Sequence, residues 1–470
     1  MPLTFGALLL PILGFSQTAE EDTSQVYESK HNLLLEFPQK IWDLAVYPLG
    51  EFVIWEEKHA VHKRVYDFFT FHNYQIGIFP FLNIGGETGT SYGATTFWRN
   101  FLGKNNGISG QFLMHNKRNW NAQGAFTNPD IFGSNYFLNG NFLLQETENT
   151  ENYTSGFFHY SSEERYEEIV FGEKKTETEL EIGWNSQNPF YATYLPETKI
   201  SFVTNYNLYK NTVPTGQEDF VEDYGELAAE ERTTLENIVN HNDKVDVLSF
   251  GIKLAYDSRD FRNPSKQIEM PLNYKMIPGL VAINHNDKFY FQRNLGYPEN
   301  GILANFNAKW NQSLDYENPA DNNEKLGFLS YQAELATYFT TWTKFRILAL
   351  RAKLQKINET DPSKIPFAAQ FPLSDNENLR GFDRGAFRGI GTLLLSAEYR
   401  WPIWDTWSAF LYLDEGQVFN EYGDIEMDNF EYTVGMGLAL WTERNFICRT
   451  TISYSEEEPF LLGFSISQGF

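Results

Sequence analysis

The sequence predicts an all-β fold: a transmembrane antiparallel β-barrel of sixteen strands behind a short N-terminal helical segment. Three observations predict it. From Tyr74 to the last residue the apolar positions recur with a period of two, the spacing of strands with one apolar face. Aromatic residues make up 17% of the 470 residues, yet no apolar run beyond the first residues is long enough for a membrane-spanning helix. A closed barrel is the other way to satisfy every backbone group in lipid, and its alternating strands leave mean hydropathy low. The chain also ends on an aromatic, Phe470, in the apolar phase of its last strand.

Composition excludes several classes of function. The formal net charge is -25, which argues against sequence-independent binding of nucleic acid. Cys448 is the one cysteine, so neither an intrachain disulfide nor a cysteine metal site can form. No Gly-x-Ser-x-Gly elbow, His-Glu-x-x-His pair or phosphate-binding glycine loop stands out, and no enzyme activity or cofactor is expected.

Residues 1–16 are expected to form a signal peptide. Leu3 to Phe15 is apolar and Ser16-Gln17 is a plausible cleavage point, although the usual positive start is missing. Residues 17–72 form a linker with pre-barrel helices: Ile41, Leu44, Ala45, Leu49, Phe52 and Val53 have helical spacing broken by Pro48, and Val61, Val65, Phe68 and Phe69 continue it. They either lie at the periplasmic interface, enter the lumen or simply cap the barrel.

The barrel is expected over 73–470. Strands are read at Tyr74–Asn83, Ser91–Asn100, Ile108–Asn116, Asn119–Thr127, Tyr136–Glu146, Tyr153–Tyr160, Glu177–Ser186 and Lys199–Tyr209. The acidic stretch 211–244 interrupts them. Leu227, Glu231, Leu235, Ile238 and Val239 give it a short helical pattern, and an excursion of this length belongs outside the cell. In 246–256 the alternation is clear: Leu248, Phe250, Ile252, Leu254 and Tyr256 suit lipid, and the residues between them suit a wet lumen. Further strands are read at Gln267–Met276, Ile302–Tyr316, Leu329–Thr340, Thr343–Ile357, Thr392–Ile403, Trp407–Phe419, Phe430–Trp441, Asn445–Tyr454 and Pro459–Phe470. This set slightly exceeds sixteen, so one or two of the early segments are expected to be loops. Trp401, Trp404 and Trp407 cluster at a strand turn, where an interfacial girdle belongs.

The most informative stretch is 371–401, a glycine-rich polar loop around Leu379-Arg380-Gly381-Phe382 that runs straight into an alternating strand. Gly381 allows a sharp turn beside Arg380. A guanidinium offers a rigid fork of donors that fits carboxylates. The next two strands carry Ser396-Ala397-Glu398-Tyr399-Arg400 and Leu413-Asp414-Glu415-Gly416.

This order of motifs resembles the BamA/TamA-like outer-membrane assembly and secretion superfamily, also called the bacterial surface antigen family. The resemblance implies that Arg380, at the tip of a long external loop, folds back into the barrel and pairs with Glu398 and Asp414. The family loop more often has valine at the position of Leu379. The turn Asp257-Ser258-Arg259-Asp260 with Pro264 is also similar to a family turn, with Gln267 or its neighbours where glycine is usual. Family members usually carry periplasmic POTRA repeats, for which 30–71 is too short, so a member lacking them is expected.

The implied function is the insertion, assembly or translocation of proteins at the bacterial outer membrane. Outer-membrane lipids and client outer-membrane or secreted proteins would be the partners. The family's proposed mode of action is sideways opening of the seam between first and last strands. Here Pro80 removes a donor from the first strand, while Gly463 and Gly469 weaken the last, which ends at Phe470. Pro80 as a mere strand end is an equal alternative.

Two further groups merit weighing. His59 and His62 near Glu56 could share a metal, but read better as solvated side chains. Asp315, Glu317, Asp321 and Glu324 lack the ordered spacing of a calcium loop. Two rival functions remain: a transport channel plugged by the arginine loop, or a surface adhesive or structural barrel acting through 211–244.

Overall fold

The computed structural model describes residues 67–73, 75–83, 91–101, 106–116, 119–131, 134–153, 168–186, 196–212, 245–259, 268–270, 281–285, 288–292, 298, 300–318, 321–341, 346–359, 365–374, 378–382, 385–403, 407–441, 446–455 and 460–465. The signal peptide, His59, His62, the stretch 213–244, Trp404, Gly469 and Phe470 lie outside these residues, as do the side chains of Trp407 and of Asp315, Glu317, Asp321 and Glu324.

The strands in chain order are β1 Thr70–Phe71, β2 Ile76–Asn83, β3 Ser91–Phe101, β4 Asn106–Asn116, β5 Asn119–Asn128, β6 Tyr136–Tyr153, β7 Glu168–Asn185, β8 Glu197–Thr212 and β9 Val245–Asp257. Then follow β10 Ile268–Met270, β11 Val281–His285, β12 Lys288–Gln292, β13 Gly301–Asn318, β14 Asp321–Thr340, β15 Ile347–Ile357, β16 Phe371–Pro372 and β17 Arg388–Gly389. The last five are β18 Gly391–Pro402, β19 Trp407–Val418, β20 Glu431–Trp441, β21 Phe446–Tyr454 and β22 Leu461–Ser465.

The fold is all-β, of the antiparallel barrel class. Each strand from β1 to β9 pairs with the next, β9 pairs with β13, and the meander continues through β14, β15, β18, β19, β20, β21 and β22. Among the described residues this sheet has 17 strands, the first only two residues long, against an expected sixteen. The connections between consecutive strands alternate between the two ends of the sheet. The β15–β18 connection therefore leaves from the end opposite the β14–β15 turn, where Thr340 pairs with Ile347.

Period-two alternation fixes which side chains face inward. On β9 Phe250, Ile252, Leu254 and Tyr256 are exposed, while Val245, Val247 and Ser249 are buried. Leu335, Phe339, Leu350, Leu395, Leu411, Val434, Met436, Ile452 and Leu462 continue the exposed apolar surface on other strands. Exposed apolar area on this scale is costly in water and suits a lipid environment. The opposite face of β14–β21 is a mixed core of apolar and charged side chains.

Among the described residues, three stretches extend or divert the expected strands. Tyr153 ends β6, which pairs with β7 throughout except for a register shift between Thr147 and Thr150, and the rest of the expected strand, 154–160, lies outside the described residues. Glu146–Thr150 is polar on both faces, which hid the continuation. Of the segment 267–276 only 268–270 is described, and it forms β10, which belongs to a separate three-stranded sheet with β12 and β11. Its alternation was a real strand signal with a different partner. Asp315, Glu317, Asp321 and Glu324 stand on the paired ends of β13 and β14.

Candidate functional site

The site is built on the loop between β15 and β18. β16 and β17 pair at its base, Phe371 with Gly389 and Pro372 with Arg388. Above them the loop ties itself together: Leu373 N–H donates to Phe387 O at 2.8 Å, Leu379 N–H to Leu373 O at 3.0 Å and Gly385 N–H to Ser374 O at 3.0 Å. The Ser374 hydroxyl accepts from Phe387 N–H at 3.1 Å. Leu373, Leu379, Phe382, Ala386, Phe387 and Leu394 form a small buried core, in which the Phe382 and Phe387 rings meet edge to face at 5.0 Å. Leu379 and Phe382, motif positions by sequence, thus act as anchors.

At the tip, Gly381 has φ +85, a left-handed conformation that disfavours any side chain. A Cβ there would also stand 2.5 Å from Thr433 Cγ2 and 2.8 Å from Ser453 Cβ, so the backbone lies directly against β20 and β21. Ser455 on the same wall donates its hydroxyl to Gly381 O at 3.2 Å.

This turn delivers Arg380 to the inner wall. Its Nε donates to Asp414 Oδ2 at 2.6 Å and its Nη2 to Asp414 Oδ1 at 2.8 Å, a two-pronged pair. Nη1 donates to Glu398 Oε2 at 2.8 Å, and the backbone N–H reaches Asp414 Oδ2 at 3.4 Å. Arg380 is 6% exposed, and Glu398 and Asp414 are fully buried. The structure therefore brings together the three groups singled out by the sequence.

Several partners were missed by sequence reasoning. Glu398 also accepts from Arg400 Nε at 2.6 Å and from Arg449 Nη2. Three guanidiniums thus converge on two carboxylates. The flat side of Arg380 lies 3.7 Å from the Tyr412 ring centre, and that of Arg449 lies 3.9 Å from Phe410. Such face contacts help hold cations with limited access to water.

Strand register explains how those rings reach. Tyr412 is opposite Glu398 on one side and Gly435 on the other, and Gly435 is opposite Ser453. The Tyr412 ring crosses Gly435, where a Cβ would collide with it, and its hydroxyl bonds to Ser453 Oγ. Phe410 crosses Gly437 in the same manner. The alternating glycines of β20 lower the wall so that two aromatic faces lie flat beneath the arginines. Their spacing in Gly435-Met436-Gly437 was the available signal.

The wall on β7, β8, β9 and β13 is polar in a different way. Glu179 pairs with Lys253 Nζ at 2.7 Å and accepts from Asn205 at 2.9 Å, and Ser201 donates to Glu181 at 2.6 Å. A cavity of about 630 Å³ lies beside them, lined by residues including Ser109, Gln111, Gln123, Asn141, Asn205 and Lys309. Among the described residues no cluster of three or more His, Cys, Asp or Glu is placed to hold a metal.

Of the predicted seam residues, Pro80 and Gly463 are described and Gly469 and Phe470 are not. Pro80 stands exposed on β2, opposite Ala94 of β3, and Gly463 on β22 is opposite Thr451 of β21. Among the described residues no pairing joins β2 to β22. The Asp257 turn is described as far as Arg259, whose Nε and Nη2 both donate to Asp257, at 3.0 and 2.9 Å. Trp401 is half-buried and 5.6 Å from Tyr399.

Comparison with known proteins adds the family. Among solved structures, BamA from Haemophilus ducreyi lacking POTRA domains 1-3 is 15% identical with a TM-score of 0.48, covering 83% of this chain and 69% of that one. CdiB from Acinetobacter baumannii and CdiB from Escherichia coli are each 10% identical with a TM-score of 0.48, over 83% of this chain. The match spans 59% and 61% of those two chains, less than two thirds of either. No curated protein matches. The Omp85 superfamily domain matches residues 100–442, well over half of the sequence. The chain belongs to the Omp85 superfamily, the assembly and secretion group that its loop and wall motifs resemble.

Proposed function

We propose that this protein resides in the bacterial outer membrane, surrounded by lipid, and assists the insertion, assembly or translocation of other proteins there. One observation carries the reading: the buried grip of Asp414 and Glu398 on Arg380, which braces the long loop against β18–β21. A braced loop keeps that half of the wall rigid. Movement is then left to the strands at the other margin, β2 and β22, where Pro80 lacks an N–H to donate and Gly463 brings no side chain to pack. Client strands would add to this edge by backbone hydrogen bonding, a chemistry that needs neither enzyme activity nor cofactor. Export through residues 1–16 and a barrel over 73–470, led by the 17–72 segment, belong to the same reading.

Depletion followed by quantitative outer-membrane proteomics tests it. Other barrels or surface-exposed proteins should decline while inner-membrane proteins hold steady. An unchanged outer-membrane proteome would refute the reading. The polar cavity beside Glu179 favours a second function, a solute channel. That alternative expects steady single-channel conductance together with an unaltered proteome.

A further inference from the structure

We propose that the inner face of β4–β8 is a binding site for a neutral oligosaccharide, held in the cavity beside Glu179; this goes beyond the assembly reading and does not rest on it. The exposed apolar side chains of these strands, among them Phe112, Leu144, Leu180 and Phe202, turn away from the cavity. Carboxamides recur on its lining: Gln111 on β4, Gln123 on β5, Asn141 on β6, and Asn205 and Asn207 on β8. Strand register sets them in two rows across the strands. Gln111 is opposite Gln123, Gln123 opposite Leu143, Leu143 opposite Glu177 and Glu177 opposite Asn207. In the next row Asn141 is opposite Glu179 and Glu179 opposite Asn205.

A carboxamide offers two donors and an acceptor, which complements a sugar hydroxyl that both donates and accepts. Among the described residues the side chains of Gln111, Gln123, Asn141 and Asn207 make no hydrogen bond to another side chain. Asn205 donates to Glu179 at 2.9 Å, and its own Oδ1 is buried with no donor. A buried acceptor of that kind calls for a donor from a bound molecule. Leu143 adds an apolar patch for the C–H face of a sugar ring. The cavity, about 630 Å³, falls in the range of roughly 300–1,000 Å³ that holds small ligands.

The charges on the lining point to an uncharged ligand. Glu177 lies 2.9 Å from Lys175, Glu179 2.7 Å from Lys253, and Lys309 3.7 Å from Glu179. Each is already paired, so an ion would have to break a pair to be held. An extended polypeptide fits less well. It binds sheets through backbone groups at an edge, and β4–β8 are each paired on both sides. The amides spread in two dimensions, across strands about 4.8 Å apart. Hydroxyls around a sugar ring match such a spread; the single line of groups along a peptide does not.

The test uses the full chain in lipid nanodiscs on an array of neutral and acidic bacterial oligosaccharides, followed by calorimetry with the best neutral one. Binding should favour neutral sugars and hold steady as salt is raised. Gln123→Ala and Asn207→Ala, made singly, should each weaken it about tenfold, the loss of a hydrogen bond, with heat-modifiable gel mobility unchanged. Capture of no neutral oligosaccharide by the unaltered chain would overturn the proposal without any variant. So would unchanged affinity in both variants, or a preference for acidic sugars that salt abolishes. An unfolded polypeptide whose binding falls in both variants, while that of the oligosaccharide does not, would overturn it and assign the cavity to protein.

Discussion

Arg380 and Asp414 meet through two parallel side-chain hydrogen bonds of 2.6 and 2.8 Å, although 34 positions separate them in the chain. Asp414 is fully buried, so its charge depends on that fork and on the nearby backbone N–H of Arg380. Arg380→Ala leaves a buried carboxylate without its main cation, a change that typically costs about 3–5 kcal/mol. The expected result is a lower urea midpoint and earlier loss of heat-modifiable gel mobility. Arg380→Lys should recover only part, because an ammonium cannot match the two-pronged geometry.

Gly381→Ala should also loosen the loop. The φ of +85 alone costs a side-chain-bearing residue roughly 1–3 kcal/mol, before the contact with Thr433 Cγ2 is counted. Adding Thr433→Ser removes that methyl and should restore part of the stability. Full restoration in equilibrium unfolding would show that space, rather than backbone conformation, is the constraint.

Tyr412 has two separable roles. Tyr412→Phe keeps the ring under Arg380 but removes the hydroxyl bonded to Ser453, at a cost of about 1 kcal/mol. Tyr412→Leu also loses the aromatic face and should cost about 1 kcal/mol more. Equal stability of the two variants in urea would remove the ring–guanidinium contact from the account.

Gly435→Ala and Gly437→Ala should each lift an aromatic ring off the wall. The ring must swing away from Arg380 in the first variant and from Arg449 in the second. Limited proteolysis within 371–389 should then become faster, and unchanged cleavage would count against the flat-ring arrangement.

Much of this was legible in one sequence, for physical reasons. A lipid-facing wall requires strict alternation, so β9 and the strands after Gly391 could be read directly. Arg380, Glu398 and Asp414 were legible because the loop and both wall motifs lie close together in the chain. Arg400 stood two residues from Glu398 and shared its face, yet its role depended on which acid it would meet. Arg449 lies 51 positions from Glu398, and only the register of four adjacent strands brings it there. The polar extension of β6 and the detour of β10–β12 into a separate sheet were hidden for the same reason, since pairing partners decide both.

The central claim is that Arg380 is energetically coupled to the wall acids, and a double-mutant cycle measures that coupling. Arg380→Ala, Asp414→Ala and the double variant would be compared by equilibrium unfolding in lipid. The account predicts a coupling of roughly 1.5–3 kcal/mol, the range of hydrogen bonds to charged groups. Strictly additive effects of the two substitutions would contradict it.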